Sequence, residues 1–517
     1  MSKDKKKKTT EPEKATLVRI FLFTIQCIIS VALVALIFKL GVLPTKYVVM
    51  LVVLLAALLA GTFFLMTPPK FATSKGKNGR HGKEELEIHN EIAKDYLPKK
   101  GKIRYIIGCV VSALISIVLL VGVKYAWEGD AALRTIVGSN IETRETYVVV
   151  LKDSEYKKTS ELTGKPVAMD PDDEPDIMGE DKKTLDKEVK DIDYKEIKGS
   201  EALAEALYNG DVDAIFISDA TYAIIEAKRE TFPDDTRIIT TQKTEIKKES
   251  IAKDVKNITT TPFSFYITGI DTYGRLSAVA RSDVNMIVTV NPKTKQILMS
   301  SIPRDYFITL ASFGVKDKLT HSGLKGPENT VKSVENFLGI DINYYVRVNF
   351  SSVISVVDAL DGITVDNPMA FYADPYYFQA GKINMDGAMA LRFARERYNV
   401  SGGDNGRVKN QERVVAGMIN KLLSPAILTN YTSFMDSIDD SVQTNMKASE
   451  ISALVKMQLD DMAGWTIVQK QFTGYGSMQY GGAYYPNEKL YYMIPNEDSV
   501  AENKQLILDV LAGKPVQ

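Results

Sequence analysis

The apolar positions of this chain fall into two regimes. Up to about residue 124 they form three long, predominantly apolar runs, and beyond it they fall into short strand- and helix-length stretches separated by polar loops. The runs are Ile20–Phe38, Tyr47–Met66 and Tyr105–Val123. Each is close to the roughly 20 residues that a helix needs to cross a bilayer core. None is followed by a small-residue cleavage site, so they are read as anchors and not as a signal peptide. The six residues Gly41–Lys46 leave room only for a tight turn, which makes the first two runs a hairpin.

Basic residues set the expected orientation. Lys3 and Lys5–Lys8 precede the first run, and Lys70, Lys75, Lys77, Arg80, Lys83, Lys99, Lys100, Lys102 and Arg104 lie between the second and third. The excess of lysine and arginine on cytoplasmic segments places both there, and everything after about Lys124 outside. The expected layout is a cytoplasmic tail (1–19), a membrane hairpin (20–66, spans 20–38 and 47–66), a cytoplasmic loop (67–104) and a third span (105–123).

The outer part reads as two α/β regions. In the first, about 140–250, Glu145–Leu151, Val212–Ser218 and Arg237–Thr241 are predicted strands, and Ser200–Asn209 and Tyr222–Arg229 helices. Its stretch NGDVDAIFIS, following a helix, resembles one lobe of a periplasmic-binding-protein-like domain. The loop Met169–Glu180, with Asp172, Asp173 and Asp176, is expected to be solvated and not a calcium site. In the second region, 260–517, the predicted strands are Phe263–Gly269, Asn285–Val290, Gln296–Ile302 and Tyr344–Val348. The predicted helices are Thr330–Leu338, Ser351–Leu360, Asp386–Phe393, Arg407–Leu423 and Ile451–Leu459. Strands alternating with helices imply an α/β sandwich.

Composition narrows the chemistry. The chain of 517 residues has net charge −1, so nothing attracts it globally to nucleic acid. Its two cysteines, Cys27 and Cys109, sit in the apolar runs, which leaves no disulfide or thiolate nucleophile outside. Three histidines supply a zinc site or a Ser-His-Asp triad poorly, and His321 reads as a polar turn residue. What remains is carboxylates, arginines and a hard metal ion.

Those types cluster in two places. In the segment RERYNVSGGDNGRVKNQER, Arg395 and Arg397 lie two apart on one side of an extended run. Beyond a glycine loop, Arg407 and Gln411 lie four apart on one helix face. Guanidinium forks beside a glycine loop and a helix start suit phosphate groups. Outside a membrane, the expected polyphosphate is the headgroup of a lipid-linked sugar carrier. The second place is Ile267–Asp305, where Asp271, the pair Arg281 and Asp283, and Arg304 follow or precede consecutive strands. Ligands gather at strand ends in open α/β sheets. Asp271 and Asp283 can hold a hydrated Mg²⁺ or Mn²⁺, which needs only one or two carboxylates when phosphates complete its shell. Arg281, Arg304, Arg395, Arg397 and Arg407 can neutralise a diphosphate, and Asp404 or Asp271 can deprotonate an acceptor hydroxyl. Asp404 is equally suited to cap its helix, and Arg413 reads as a solvated helix face.

Three segments, GIDTYGR…ARSDVNMIVTVNP…SIPRD, YYVRVNFSSVISVVDALDGITVDNP and RERYNVSGGDNGRVKNQER, agree in order and spacing with the LytR–CpsA–Psr (LCP) family of wall-polymer ligases. The chain resembles its capsule-locus, CpsA-like branch, with a three-span anchor and an accessory domain. The resemblance implies an α-β-α sandwich with a central mixed sheet. It implies a phosphotransferase that moves a capsular or teichoic-acid-like glycopolymer from undecaprenyl diphosphate to peptidoglycan, with a possible pyrophosphatase side activity. By motif position, Asp271 and Asp283 would serve the metal, and Arg281, Arg304, Arg395, Arg397, Arg407 and Gln411 the diphosphate; the expected catalytic set is Asp271, Asp283, Arg304 and Asp404. An apolar tunnel for the prenyl tail is implied, with Val348, Phe350, Val353, Val356 and Val357 as wall candidates. The implied setting is a Gram-positive-type plasma membrane, with capsule-synthesis membrane proteins as possible partners. One departure is Asn410-Gln411-Glu412 where the family usually has Arg-Gln-Gln. The competing reading is a non-enzymatic membrane regulator of polysaccharide synthesis or transcription, signalling through the basic loop.

Overall fold

The computed structural model describes residues 11–67, 99–136, 141–229, 231–247, 251–271, 280–424, 434 and 442–517. The basic tail before residue 11, most of the loop 67–104, and Gly274 of GIDTYGR lie outside these described residues. Two compact units form: residues up to Ala131 with Ser452–Asp461, and Ala132–Ile451 with Met462–Gln517.

The first unit is built on α1 (Glu11–Leu40), α2 (Thr45–Leu65) and α3 (Lys99–Ile136). Within them, stretches of 26, 21 and 29 residues are long and apolar enough to cross a membrane. Apolar side chains cannot discriminate one helix from another in lipid, so close approach and polar contacts decide their packing. Gln26 supplies such a contact: its Oε1 accepts from Thr62 Oγ1 of α2 at 3.1 Å and from Ser112 Oγ of α3 at 2.7 Å. Gly108 lets α3 approach α2, because a Cβ there would lie 2.7 Å from the Leu65 and Met66 backbone.

The second unit begins with an accessory domain. Its elements are β1 (Ile141–Leu151), β2 (Pro166–Met169), α4 (Pro175–Glu188), β3 (Asp193–Glu196), α5 (Ser200–Asn209), β4 (Ala214–Ser218), α6 (Asp219–Lys228), α7 (Phe232–Asp235) and β5 (Thr236–Lys247). The sheet order is β3-β2-β4-β1-β5, with β2 parallel to both neighbours and β1 antiparallel to β4 and β5. The acidic loop is not uniformly solvated. Pro175 opens α4 at a position where a missing N–H costs nothing. Asp173 is buried, where its carboxylate accepts from the Ser218 backbone at 2.9 Å and its hydroxyl at 2.6 Å.

The remainder holds β6 (Phe263–Gly269), β7 (Val284–Asn291), β8 (Gln296–Ser301), β9 (Phe307–Thr309), β10 (Lys316–Lys318), α8 (Pro327–Leu338), β11 (Tyr344–Val348), α9 (Phe350–Ala359), β12 (Ile363–Asn367), β13 (Phe371–Ala373), β14 (Tyr376–Phe378), β15 (Gly381–Met385), α10 (Gly387–Arg395), α11 (Asp404–Leu422), β16 (Val442–Thr444), α12 (Ala448–Asp461), β17 (Thr466–Gln471), β18 (Gly474–Gln479), β19 (Leu490–Pro495) and α13 (Glu497–Leu511). Among the described residues the central sheet has six strands in the order β16-β11-β6-β7-β8-β17. It is mixed: β6 runs parallel to β11 and antiparallel to β7, and β8 parallel to β17. Alternation along each strand divides its side chains between two layers. Tyr266, Ile287 and Leu298 enter a core with Val331 and Val334 of α8 and Ile507 and Val510 of α13. Phe265 and Ile267 point to the opposite face, toward α9 and α11, where a cavity remains. The sheet is thus apolar on both faces, which is why its strands read as nearly continuous hydrophobic runs.

Candidate functional site

The cavity has a volume of about 850 Å³, within the range of ligand sites. One part of its wall is apolar, with Phe265 and Ile267 of β6, Val346 and Val348 of β11, Val353 and Val356 of α9, and Val414, Val415, Met418 and Ile419 of α11. The other part carries Asp271, Asp283, Arg304, Arg392, Arg395, Arg397, Arg407 and Gln411. Val348, Phe350, Val353 and Val356 therefore line it; Val357 is fully buried in the neighbouring core.

Most of the polar side chains are delivered by the ends of elements, with Arg392 and Gln411 inside helices. Asp283 precedes β7, its backbone N–H held by Gly269 O at 2.8 Å. Gly269 is required at that crossing, since a Cβ there would lie 2.7 Å from Val284 Cβ. Arg304 leaves β8 through Pro303 and donates from Nη1 to Asp283 Oδ1 at 2.7 Å. Thr320 Oγ1 donates more weakly to the same oxygen at 3.3 Å. Asp271 follows β6, half-exposed, with Arg395 Nη2 3.8 Å from its Oδ1. The Arg395 guanidinium also stacks 4.2 Å above the Phe350 ring, which fixes its plane beside α9. Asn349 caps α9, accepting from Ser352 N at 2.9 Å.

Arg395 is the last residue of α10, and Arg397 follows in irregular chain, so the expected extended run does not form; both side chains still reach the cavity. Glu396 shapes the turn by accepting from Tyr398 N at 2.7 Å and Asn399 N at 2.8 Å. Tyr398 is 80% exposed and its hydroxyl bonds Arg397. Arg407 and Gln411 lie one turn apart on the cavity face of α11. Arg281 does not line the cavity; it is exposed on an irregular segment, where its charge acts on Tyr485. Asp404 opens α11, and its side chain lies outside the described residues. Arg413 is half-buried and donates to Asn410 Oδ1 at 2.8 Å, with burial pushing its guanidinium below the usual range.

Two residues escaped the sequence reading. Arg392, three before Arg395 on the same helix, lines the cavity and donates from Nε to Asp374 O at 2.6 Å; the i, i+3 spacing was its signal. Glu412 sits beneath Gln411, only 3% exposed, against Ser301 of β8. Burial pushes its carboxyl up to about 7, offset in part by a loose Ser301 contact and the charges of Arg413 and Lys409. Neither its Oε1 nor the Ser301 hydroxyl forms a well-aligned hydrogen bond.

Asp271 and Asp283 both face the cavity and are of the type that could hold a hydrated Mg²⁺ or Mn²⁺; among the described residues no group of three or more His, Cys, Asp or Glu is gathered as a metal site. Asp283 Oδ1 is engaged by Arg304. The arginines are separate forks converging from β8, α10 and α11, an arrangement that binds a multiply charged phosphate ester more readily than a single carboxylate.

This architecture, a mixed sheet layered between helices with an arginine-rimmed cavity on one face, defines a layered α/β protein. The chain belongs to the LytR_cpsA_psr family, whose model matches residues 222–503. Among its relatives, the "polyisoprenyl-teichoic acid–peptidoglycan teichoic acid transferase TagU" of Enterococcus faecalis is 36% identical over 227 residues, covering 43% of this chain and 74% of the relative. The TagU of Bacillus licheniformis is 35% identical over 240 residues, covering 46% and 76%. The crystal structure of Bacillus subtilis TagU aligns with a TM-score of 0.40 at 32% identity, covering 50% of this chain and 100% of that one. A further description, "ABC transporter, phosphonate, periplasmic substrate-binding protein", matches residues 126–252, the accessory domain.

Proposed function

We propose that the chain is a membrane-anchored transferase that carries a wall glycopolymer from a polyprenyl diphosphate onto peptidoglycan. The observation behind this reading is the two-part wall of one cavity. A long apolar groove between β6, β11, α9 and α11 suits a prenyl chain, and it opens onto Arg304, Arg395, Arg397, Arg407 and Gln411, which suit a diphosphate. The TagU relatives are named for the same donor type and acceptor.

In this reading the arginines bind the diphosphate and stabilise charge that grows on the departing lipid phosphate, the largest source of rate in phosphoryl transfer. Asp271 and Asp283 would hold Mg²⁺ or Mn²⁺, which supplies further neutralisation. Arg304 orients Asp283 through their 2.7 Å hydrogen bond. Asp271, half-exposed at the polar end, is placed to take the proton of an incoming hydroxyl, with Asp404 the other candidate base. Water in place of the sugar acceptor gives a pyrophosphatase side activity. The catalytic unit lies outside the membrane, consistent with the basic residues of the tail and loop. The cargo is a wall glycopolymer of the capsular or teichoic-acid-like kind.

The test uses purified full-length protein with a polyprenyl-diphosphate-linked glycan and peptidoglycan, and measures polyprenyl phosphate released and glycan attached. Arg397→Ala should lose one to two orders of magnitude in rate, a loss of about 1.4–3 kcal/mol. Wild-type turnover in that variant rejects the site. A pure regulator would release no polyprenyl phosphate at all.

A further inference from the structure

The accessory domain resembles a ligand-binding lobe, yet its ligand edge is filled. In α/β sheets that edge is the carboxyl end of the parallel strands, where helix N-termini favour anions. Here it is the Ser218 end of β4 and the turn after β2. Three of the protein's own carboxylates stand there: Asp173 on Ser218, Glu174 at the N-cap of α4, and Asp219 at the start of α6. Arg144, buried at 5% exposure, bonds Glu174 and reaches Asp219 Oδ1 at 2.6 Å. Asp219 Oδ1 also accepts from Ala220 N at 2.9 Å, so the start of α6 holds an internal anion.

The same edge is covered by the sheet domain. Lys325 Nζ donates to Glu174 Oε1 at 2.8 Å. Leu324 is buried with Ala220 and Ile224 of α6, and Tyr484 and Tyr485 pack over them. Tyr485 donates to Ile224 O at 3.1 Å.

Lys325 and Leu324 end a seven-residue 3-10 segment, Leu319–Lys325, whose beginning touches the cavity pair. Thr320 Oγ1 contacts Asp283 Oδ1 at 3.3 Å, Thr320 N donates to Arg304 O at 2.8 Å, and Ser282 N donates to Thr320 O at 2.9 Å. Its middle packs closely on Ala280–Ser282: a Cβ on Gly323 would lie 2.5 Å from Ala280 O and 2.7 Å from Ser282 N. His321 Nδ1 lies 3.0 Å from the buried Asp317, which also accepts from Tyr484 N at 3.0 Å. One short, closely packed segment therefore contacts the accessory domain at one end and the Asp283–Arg304 pair at the other.

We propose that the accessory domain is a positioning element of the transferase site, holding Leu319–Lys325 and through it Asp283 and Arg304, and that it takes no phosphonate-like ligand at its filled edge. This rests on the transferase reading of the cavity. Lys325 touches no substrate in it; Lys325 is a positioning residue.

The experiment uses the full chain, a polyprenyl-diphosphate-linked disaccharide and peptidoglycan, with thermal melting as a fold check. Lys325→Ala should lower kcat about tenfold, within the usual range of coupling between sites, and leave the donor KM nearly unchanged. Lys325→Arg should restore most of kcat. A wild-type kcat in Lys325→Ala, or equal loss in Lys325→Arg, overturns the proposal. So does saturable binding of methylphosphonate by the full chain that Arg304→Ala leaves intact. Arg304→Ala separates the two levels: if it turns over normally, the cavity assignment fails, whereas if it is inactive and Lys325→Ala is normal, only the coupling fails.

Discussion

Arg304 and Asp283, 21 residues apart in sequence, meet at 2.7 Å where β8 ends and β7 begins. The pair is partly shielded, with side chains 27% and 14% exposed, so removing the guanidinium leaves a carboxylate without its countercharge at the polar end of the cavity. Truncating one partner of such a pair typically costs 2–5 kcal/mol where it is desolvated. Arg304→Ala is therefore expected to reduce kcat/KM for a lipid-linked donor by about 30-fold or more. Arg304→Lys should recover part of this, because it returns the charge without the planar fork. Steady-state kinetics on both variants checks the order; equal activity in alanine and lysine variants contradicts the assigned role.

The same pair shows what was legible in the sequence. Asp271, Asp283 and Arg304 stand at the ends of strong apolar strands, and a charge at such a boundary faces the strand-end crevice with little ambiguity. Arg281 was placed beside Asp283 by period-two alternation, but Ala280–Asp283 is irregular chain, where that period has no force. Tyr372 reaches the cavity from β13, a three-residue strand too short to show any pattern. The tail from Thr466 carries β17, β18, β19 and α13. β17 is an edge strand of mixed exposure and β18 pairs only within a separate two-stranded ribbon, so neither of these two shows the unbroken apolar run of the inner strands, whereas β19 (LYYMIP) does.

The apolar groove yields a prediction about chain length. Val356 and Val415 face it from α9 and α11. Enlarging either to phenylalanine occupies space a prenyl chain would fill, and each excluded methylene forfeits about 0.8 kcal/mol. Affinity for a long-chain polyprenyl diphosphate should fall at least tenfold in Val415→Phe, while affinity for inorganic pyrophosphate stays as in wild type. Titrating both ligands decides it. A parallel loss for pyrophosphate means the substitution has disturbed the arginines instead.

Gly387 ties the arginine-bearing α10 to α9. A Cβ at that position would sit 2.3 Å from Ile354 O, and the Gly387 N–H donates to Asp358 Oδ1 at 2.7 Å. The neighbour is helix backbone, which cannot give way as a side-chain end could. Gly387→Ala should destabilise the fold by about 1–3 kcal/mol and displace Arg392 and Arg395 with α10. A lower melting temperature together with a raised donor KM is the expected result. Unchanged melting would show that α10 can slide over α9 at little cost.

Glu412 predicts a pH dependence with a definite sign. Its carboxyl rises from 4.5 to about 7 in the folded protein, chiefly through burial, so the folded state keeps a proton that the unfolded state has released. Stability from this group is therefore greatest below about 4.5, declines as pH rises toward 7, and stays at its reduced level above that. At 1.36 kcal/mol per pH unit the full decline is about 3 kcal/mol. Glu412→Gln has no proton to lose and preserves shape against Ser301. In denaturant unfolding, the variant should match wild type near pH 4.5 and exceed its stability by up to about 3 kcal/mol at pH 8. A stability difference that does not change between the two pH values would show that Glu412 has found a partner that keeps it charged.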